Sequence, residues 1–493
     1  MVLFLENSLT CDACFVPFII AAFKHSSGCD SDIKLWNTNT DGKPVTCAKI
    51  RNAITLIRPA TEVWTRLAGV RRLEIEDPEG ILQTVPKQLC FELPNLESLS
   101  VKWSNIRTLP PRIYQLPLTT LYLQRNQLKS LDGLEQVTRL TVLDVSHNML
   151  EVLPDIFVHL TSLEVLNIAD NRIAHVPDSI GSACRLVEFN CSHNRLSSLP
   201  NSVGNITQLT ILDVGNNQLT CLPASVGNLV NLRDLRARNN LLRSLPDSFS
   251  QLQHLTSLLL RNNKFRHVPS QLSTLANLEN LNMSDNEIAH MAAPIQTLKY
   301  LVLDQNDFAQ IDPGIVQCSN LQLLSLKRNR LGQMRLTEDI GQLTNIQSLF
   351  LSYNAISCVP VEVGRLKRLL HLSLSSTNIQ TIPLAVASLS SLQTLELEDC
   401  TELDHQLTHA YKTRGRAGVV DYLKQQPNTE TRGATNVETS NDVDLRPNSK
   451  PRVKITAKES IFPVEPQTVA SSSHNSLSAH AEYTPAVNNC ADC

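Results

Sequence analysis

Aromatic side chains make up only 4% of this 493-residue chain and charged ones only 18%. That scarcity implies a core tiled with medium-sized aliphatic groups instead of one built around large rings. Positive charge is not in excess either. With 44 Lys+Arg against 47 Asp+Glu the formal net charge is −3, so no global field draws the protein to nucleic acid or to an anionic membrane. Long apolar runs are missing: the stretch Phe15 to Phe23 (FVPFIIAAF) is far shorter than the roughly 20 residues of a membrane-spanning helix, and no basic segment precedes it as in a signal peptide. The thirteen cysteines are odd in number and irregularly spaced, unlike the dense even framework of a small secreted domain. A soluble, cytoplasmic protein in a reducing compartment is the expectation. Catalytic signatures are absent as well. No phosphate loop, His-Glu-x-x-His helix, Gly-x-Ser-x-Gly elbow or kinase catalytic loop occurs, so no enzyme activity, cofactor or metal is expected.

What the chain has in abundance is one sentence, repeated. The stretch LEVLNIADNRIAHVP from Leu163 is followed by LVEFNCSHNRLSSLP from Leu186, and the shared pattern is Leu-x-x-Leu-x-Leu-x-x-Asn-x-Leu. Cycles begin at Val70, Leu96, Leu118, Leu140, Leu163, Leu186, Leu209, Leu232, Leu255, Leu278, Leu298, Leu321, Ile346, Leu369 and Leu392, fifteen in all. Six consecutive steps from Asn148 to Asn286 are 23 residues each, a regularity that marks stacked structural units.

Each residue class has a physical task. The Leu-x-Leu pair alternates with period two, as in a short strand with one buried face, so Leu166 and Ile168 point inward and Asn167 outward. A bend must follow, and an asparagine amide can donate and accept at once to backbone groups that the bend leaves unpaired. Asn126, Asn148, Asn171, Asn194, Asn217, Asn240, Asn263, Asn286, Asn306, Asn329 and Asn354 are therefore expected to stack as a structural ladder. Ser104, Thr377 and Cys400 take that slot in the outer cycles. Pro154, Pro177, Pro200, Pro223, Pro246, Pro269, Pro360 and Pro383 recur on the return path, where a missing N–H costs nothing outside a sheet.

These motifs resemble the leucine-rich repeat family, and the 23-residue "LPxSxGxLxxL" variety is similar to the intracellular Ras-group subfamily. The resemblance covers residues 70–403. It implies an α/β right-handed solenoid, or horseshoe, with a parallel β-sheet on the concave face and short helices or turns on the convex face. Residues 1–69 would form an N-terminal segment and cap, 404–426 a helical cap, and 427–493 a disordered tail. It also implies a non-catalytic signalling scaffold that binds a folded protein, with a Ras-type small GTPase or a phosphatase catalytic subunit as candidate partners.

Side chains beside each Leu-x-Leu are free of folding duty and form the candidate binding surface. Trp103, Tyr122 and Arg125 come first, then Asp144, His147, Asn167, Asp170, His193 and Asp213, a polar and mildly acidic stretch. Asp234, Arg236, Arg238 and Arg261 follow, and then Asp285, Tyr300, Asp304, Lys327, Arg328, Phe350 and Tyr353. Arginine forks suit carboxylates on a partner, and exposed rings are favoured at binding hot spots. The same charges could equally serve only as a solvated face, and Trp103 and Tyr122 could pack under the N-terminal segment. His147 and His193 share a column two strands apart with no third ligand, so no metal is expected there.

Other readings attach to the ends of the chain. Arg452 to Ile455 (RVKI) approaches a phosphatase-docking motif without its aromatic anchor. Cys490 sits fourth from the end like a prenylated cysteine, but Asp492 occupies an aliphatic slot. The pairs Cys11/Cys14 and Cys490/Cys493 could hold zinc only if the two ends met. A regulatory subunit of a phosphatase or ubiquitin ligase is an alternative function. An extracellular receptor is another, since Asn190, Asn205 and Asn282 each begin a glycosylation sequon.

The assigned register gives a direct test by denaturant unfolding. Asn217→Ala should lose roughly 1–3 kcal/mol through unsatisfied buried backbone groups, while Asn167→Ala should be near neutral. Equal losses at both sites would mean that the register is wrong.

Overall fold

The computed structural model describes residues 33–36, 47–50, 67, 69–77, 79–332 and 338–426. The solenoid lies in the first of two units, Met1–Leu423, the second being Lys424–Cys493. The readings at Cys11, Cys14, Arg452–Ile455, Cys490, Cys493 and in the 427–493 tail fall outside the described residues.

One sheet runs through the solenoid, with its strands paired in chain order. Two strands precede the first predicted cycle: β1 (Ile33–Trp36) and β2 (Cys47–Ile50). The longer β3 (Arg72–Glu76) and β4 (Ser98–Lys102) come next. From there the strands shorten to three residues each, beginning with β5 (Thr120–Tyr122), β6 (Val142–Asp144), β7 (Val165–Asn167), β8 (Glu188–Asn190) and β9 (Ile211–Asp213). The series continues with β10 (Asp234–Arg236), β11 (Ser257–Leu259), β12 (Asn280–Asn282) and β13 (Tyr300–Val302). It ends with β14 (Leu323–Ser325), β15 (Ser348–Phe350), β16 (His371–Ser373) and β17 (Thr394–Glu396). Every pairing from β2 to β17 is parallel; β1 alone is antiparallel to its neighbour.

The sheet thus starts earlier than the repeat pattern suggests. Residues 1–69 show no repeat motif, yet β2 pairs in parallel register with β3, Cys47 opposite Arg72 and Ile50 opposite Ile75. The segment CAKI fills the inward slots with Ala48 and Ile50, both buried, but lacks the leucines and the corner asparagine that make a cycle visible. Antiparallel β1 then covers the open edge of β2, where unpaired backbone groups would otherwise be exposed.

The register explains the core. At each rung the middle strand residue is opposite its counterpart one cycle on, as in Leu143, Leu166, Phe189 and Leu212, and all four are buried. With inward residues such as Ile168, Ile173 and Ile180 they form one continuous aliphatic core along the stack. Fully burying each such side chain contributes roughly 1.5–3 kcal/mol.

The convex wall is built from 3-10 helical turns, among them Asp178–Ser182, Asn201–Asn205, Ala224–Asn228, Asp247–Gln251 and Ser270–Thr274. A proline precedes each, and its carbonyl accepts the first turn bond: Val203 N–H donates to Pro200 at 3.1 Å and Val226 N–H to Pro223 at 3.0 Å. Proline presets the extended φ needed there and loses no donor that the turn uses. Glycine has a different role. A Cβ at Gly204 would lie 2.4 Å from the carbonyl oxygen of Ser225 in the next coil, and one at Gly227 would lie 2.4 Å from that of Ser248. The "SxG" of the repeat is the contact where neighbouring turns touch.

Three α-helices complete the described chain: α1 (Lys87–Glu92), α2 (Pro313–Val316) and α3 (His405–Gln425). Helix α3 is bent at Arg414 and Gly415 and buries Leu407, Val419 and Leu423. Asp404 caps it by accepting the N–H groups of Gln406 and Leu407 at 2.9 and 3.0 Å.

Gly204→Ala should force two coils apart and destabilise by about 1–3 kcal/mol, whereas Gln208→Ala, exposed on the same coil, should stay within about 0.5 kcal/mol. Urea unfolding of the two variants measures the difference, and a silent Gly204→Ala would refute the contact.

Candidate functional site

The ladder asparagines sit where the chain leaves the sheet, and each joins two coils. The Asn217 amide donates to the Val214 carbonyl of its own coil at 3.0 Å and to that of Cys191 one coil back at 3.1 Å. Its oxygen accepts the Leu196 N–H, also one coil back, at 3.0 Å. Asn194 and Asn240 repeat the pattern on their own coils. Asn126, Asn148, Asn171, Asn194, Asn217, Asn240, Asn263, Asn306 and Asn354 are buried, while Asn286 and Asn329 are partly exposed. In the outer cycles Thr377 and Cys400 take the slot and donate to the Leu374 carbonyl at 2.6 and 3.2 Å.

One residue earlier the backbone turns left-handed on fourteen successive coils. Trp103, Arg125, His147, Asp170, His193, Asn216, Asn239, Asn262, Asp285, Gln305, Arg328, Tyr353, Ser376 and Asp399 all have φ between 53° and 61°. Asn and Asp tolerate this region and hold six of these positions; for the others it costs roughly 1 kcal/mol each. The column stitches itself together. Asn262 donates to Asn239 at 2.9 Å, Asn239 to Asn216 at 2.5 Å, and Asn216 meets His193 Nε2 at 2.9 Å. His147 Nδ1 pairs with Asp170. This second ladder was visible as paired asparagines at 216–217, 239–240 and 262–263, but the repeat pattern gave the first of each pair no role.

Side chains on the third strand position are less free than alternation implies. Asp144 accepts the Ser146 N–H at 3.0 Å, Asn167 that of Ala169 at 3.1 Å, Asn190 that of Ser192 at 3.0 Å, and Asp213 that of Gly215 at 2.9 Å. They fold down to satisfy the backbone of the bend, making an Asx turn on each of these four coils. Asn167→Ala therefore loses an acceptor and should cost about 1 kcal/mol, correcting the near-neutral expectation. Asp213 is the clearest departure: expected as an outward ligand, it is only 3% exposed. Burial pushes its carboxyl above the usual range, opposed by the Gly215 bond and by Arg236 and Arg238. Asp304 is similarly committed, accepting the Ser325 hydroxyl at 2.5 Å and the Lys327 N–H at 2.8 Å, and burial likewise raises its carboxyl.

The expected arginine cluster is partly neutralised. Arg236 forks onto Asp234 of its own strand at 2.9 and 2.6 Å, because residues two apart share a face. Arg261 Nε donates to Asp285 at 2.6 Å, and Gln305 takes that carboxylate's other oxygen. Arg238, between them, makes no ion pair among the described residues and faces Asp213.

Aromatic residues gather at two places instead. Near one end Arg125 lies 4.0 Å over the Trp103 ring and Lys102 lies 4.9 Å over Tyr122. Toward the other, Lys327 lies 4.6 Å over Phe350 and Arg328 lies 4.9 Å over Tyr353. Both clusters have the same plan: a Lys over the ring of the next strand, and an Arg and a ring stacked along the left-handed column. Trp103 is 63% exposed, Tyr353 51% and Tyr300 42%, so these rings are presented to solvent and Trp103 is not packed away. Lys102 was missed because a lone lysine carries no periodic signal.

A titration tests Asp213. Its raised carboxyl means that the fold favours the protonated form, so the favourable term is present at low pH and is lost as pH rises through the folded value. Asp213→Asn keeps the acceptor for Gly215 and should be more stable than the wild type at pH 7, with the difference vanishing below the ordinary carboxylate range near about pH 4. Urea unfolding across pH measures it, and a pH-independent difference would refute the assignment.

Comparison with known proteins agrees with this architecture. A family profile described as "Leucine rich repeat" matches residues 117–173 and 296–356, and one described as "Leucine Rich repeats (2 copies)" matches 184–227. The sequence has no match among curated proteins. A solved leucine-rich repeat protein of Leptospira interrogans is 27% identical with a TM-score of 0.64, covering 74% of this chain and 97% of its own. Toll of Drosophila, solved in complex with Spatzle, is also 27% identical with a TM-score of 0.55, over 66% of this chain and 50% of that one. The Arabidopsis receptor kinase HAESA, at 24% identity and a TM-score of 0.52 over 70% and 64%, shares the fold. One parallel strand per cycle, a corner asparagine bridging each coil to the last, and profile matches spread along the same array make this chain a leucine-rich repeat protein.

Proposed function

We propose that the chain is a non-catalytic scaffold in cytoplasmic signalling, binding a folded protein on its concave sheet. The observation that carries this reading is the pair of exposed ring–cation clusters, Trp103/Arg125/Lys102/Tyr122 and Lys327/Arg328/Phe350/Tyr353. Apolar rings held in water by stacked cations are the groups that contribute most when a partner desolvates them. The clusters are ten strand steps apart, about 48 Å along the sheet at the usual strand spacing, a span that suits a protein better than a metabolite. Toll, a protein of the same fold, is solved bound to a protein. The resemblance to the Ras-group subfamily nominates a Ras-type small GTPase.

Two further observations favour the intracellular reading over an extracellular receptor. Cys90, Cys184, Cys191, Cys318, Cys358 and Cys400 are free thiols. Of the three sequon asparagines, Asn190 is buried with its oxygen bonded to the Ser192 N–H, leaving no room for a glycan there. On the concave face Asp144, Asp213 and Asp304 are occupied with backbone N–H groups, and Asp234 and Asp285 with arginines.

The test is quantitative proximity labelling in cells with the wild type, the double variant Trp103→Ala/Tyr353→Ala, and a convex control, Gln208→Glu. A defined set of proteins should lose labelling by about tenfold in the double variant only, with an unchanged melting temperature. Purified Ras-type GTPases should then bind the wild type and not the variant. Unchanged labelling would overturn the concave-face reading, and indifference of every GTPase would overturn the partner class.

A further inference from the structure

Regular coils pack each 3-10 turn against the next, but the coil that starts at Leu278 breaks the series. It reaches Leu298 in 20 residues instead of 23 and forms no 3-10 turn, so Ser270–Thr274 has no matching turn on its far side. A groove of about 610 Å³ lies beside the gap, away from the concave sheet, with Arg243, Lys264, Arg266, His267, Val268 and Glu287 among its lining residues. Its charge is lopsided for a chain of net −3. Three fixed cations meet one carboxylate, and that carboxylate, Glu287, is paired with Arg266 Nε at 3.3 Å. The Arg243 and Lys264 side chains are exposed and make no hydrogen bond or ion pair among the described residues. Beside them the partly buried Val268 and the exposed Ala292 offer apolar surface.

We propose that this groove binds an extended acidic peptide segment of another protein, with its carboxylates on Arg243 and Lys264 and an apolar side chain over Val268 and Ala292. Arg243 and Lys264 belong to adjacent coils, about 5 Å apart along the stack, and are offset by two residues along the coil, so that two carboxylates of one extended segment, about 6.7 Å apart on one face, can reach both. A nucleic acid is disfavoured by the same geometry. The cations span only two coils, too short a track for a phosphate backbone, and the one phenyl ring among the lining residues, Phe265, is buried, which leaves the exposed His267 imidazole as a single stacking face instead of a platform for successive bases.

Fluorescence anisotropy with the full chain tests this. The probes are a labelled peptide of alternating glutamate and leucine, the matching glutamine–leucine peptide, and a labelled single-stranded oligonucleotide. The glutamate peptide should bind, lose affinity as salt is raised, and bind about tenfold or more weakly to the Arg243→Gln/Lys264→Gln variant. Trp103→Ala/Tyr353→Ala should bind it like the wild type, which separates this site from the concave one. No binding by the wild type, equal binding by the groove variant, or tighter binding of the glutamine peptide or the oligonucleotide would overturn the proposal. Thermal melts show whether the groove variant is folded; if it is not, Arg243→Gln alone and Lys264→Gln alone replace it under the same criteria.

Discussion

Everything in this molecule depends on a primary amide that reaches backward. Each turn out of the sheet leaves buried N–H and C=O groups that neither strand nor turn can pair, and leaving them unpaired costs roughly 1–3 kcal/mol apiece. Asn217 pairs carbonyls of two successive coils and an N–H of the earlier one with a single side chain. Because each amide spans two coils, it does more than close its own bend: it sets the distance and register to the coil before. No other side chain combines two donors and an acceptor at that length without a charge to desolvate.

Other features follow from that fixed coil spacing. Neighbouring convex turns approach so closely that Gly204 and Gly227 have no room for a Cβ. The corner before each asparagine becomes left-handed even where Trp103, Arg125 or Tyr353 must adopt it. Strain of that kind persists only when the surroundings enforce it, and here it recurs along the whole array because the same bend does. It also has a use, since it lifts the side chains of one column clear of the sheet, where Arg125 stacks on Trp103 and Arg328 on Tyr353.

The two proposed binding surfaces arise in opposite ways. The concave face is a product of regularity: identical backbone rungs carry whatever side chains occupy the free columns, and rings and cations gather near both ends. The groove near Arg243 and Lys264 is a product of irregularity, since a coil three residues short cannot build its share of the convex wall. One surface suits a broad folded partner and the other a narrow strand of chain, so a single scaffold could hold two different proteins at once.

Much of this was legible in the one-dimensional pattern, because a repeat turns tertiary contacts into sequence periodicity. The spacing of leucines and asparagines alone determined the stack of coils, the inward Leu166 and Ile168, and the corner position of Asn217. What it could not carry was anything decided between coils. The parallel strand at Cys47–Ile50 has no leucine signature. Alternation places Asp213 outward, yet its carboxylate turns down onto the Gly215 N–H. Arg236 and Arg261 read as free forks, yet Asp234 and Asp285 already hold them. The reason is physical: side-chain direction along a strand follows from chirality and a period of two, whereas the partner of a polar group depends on which donors and acceptors the neighbouring coil brings within 3 Å, and only the folded stack decides that.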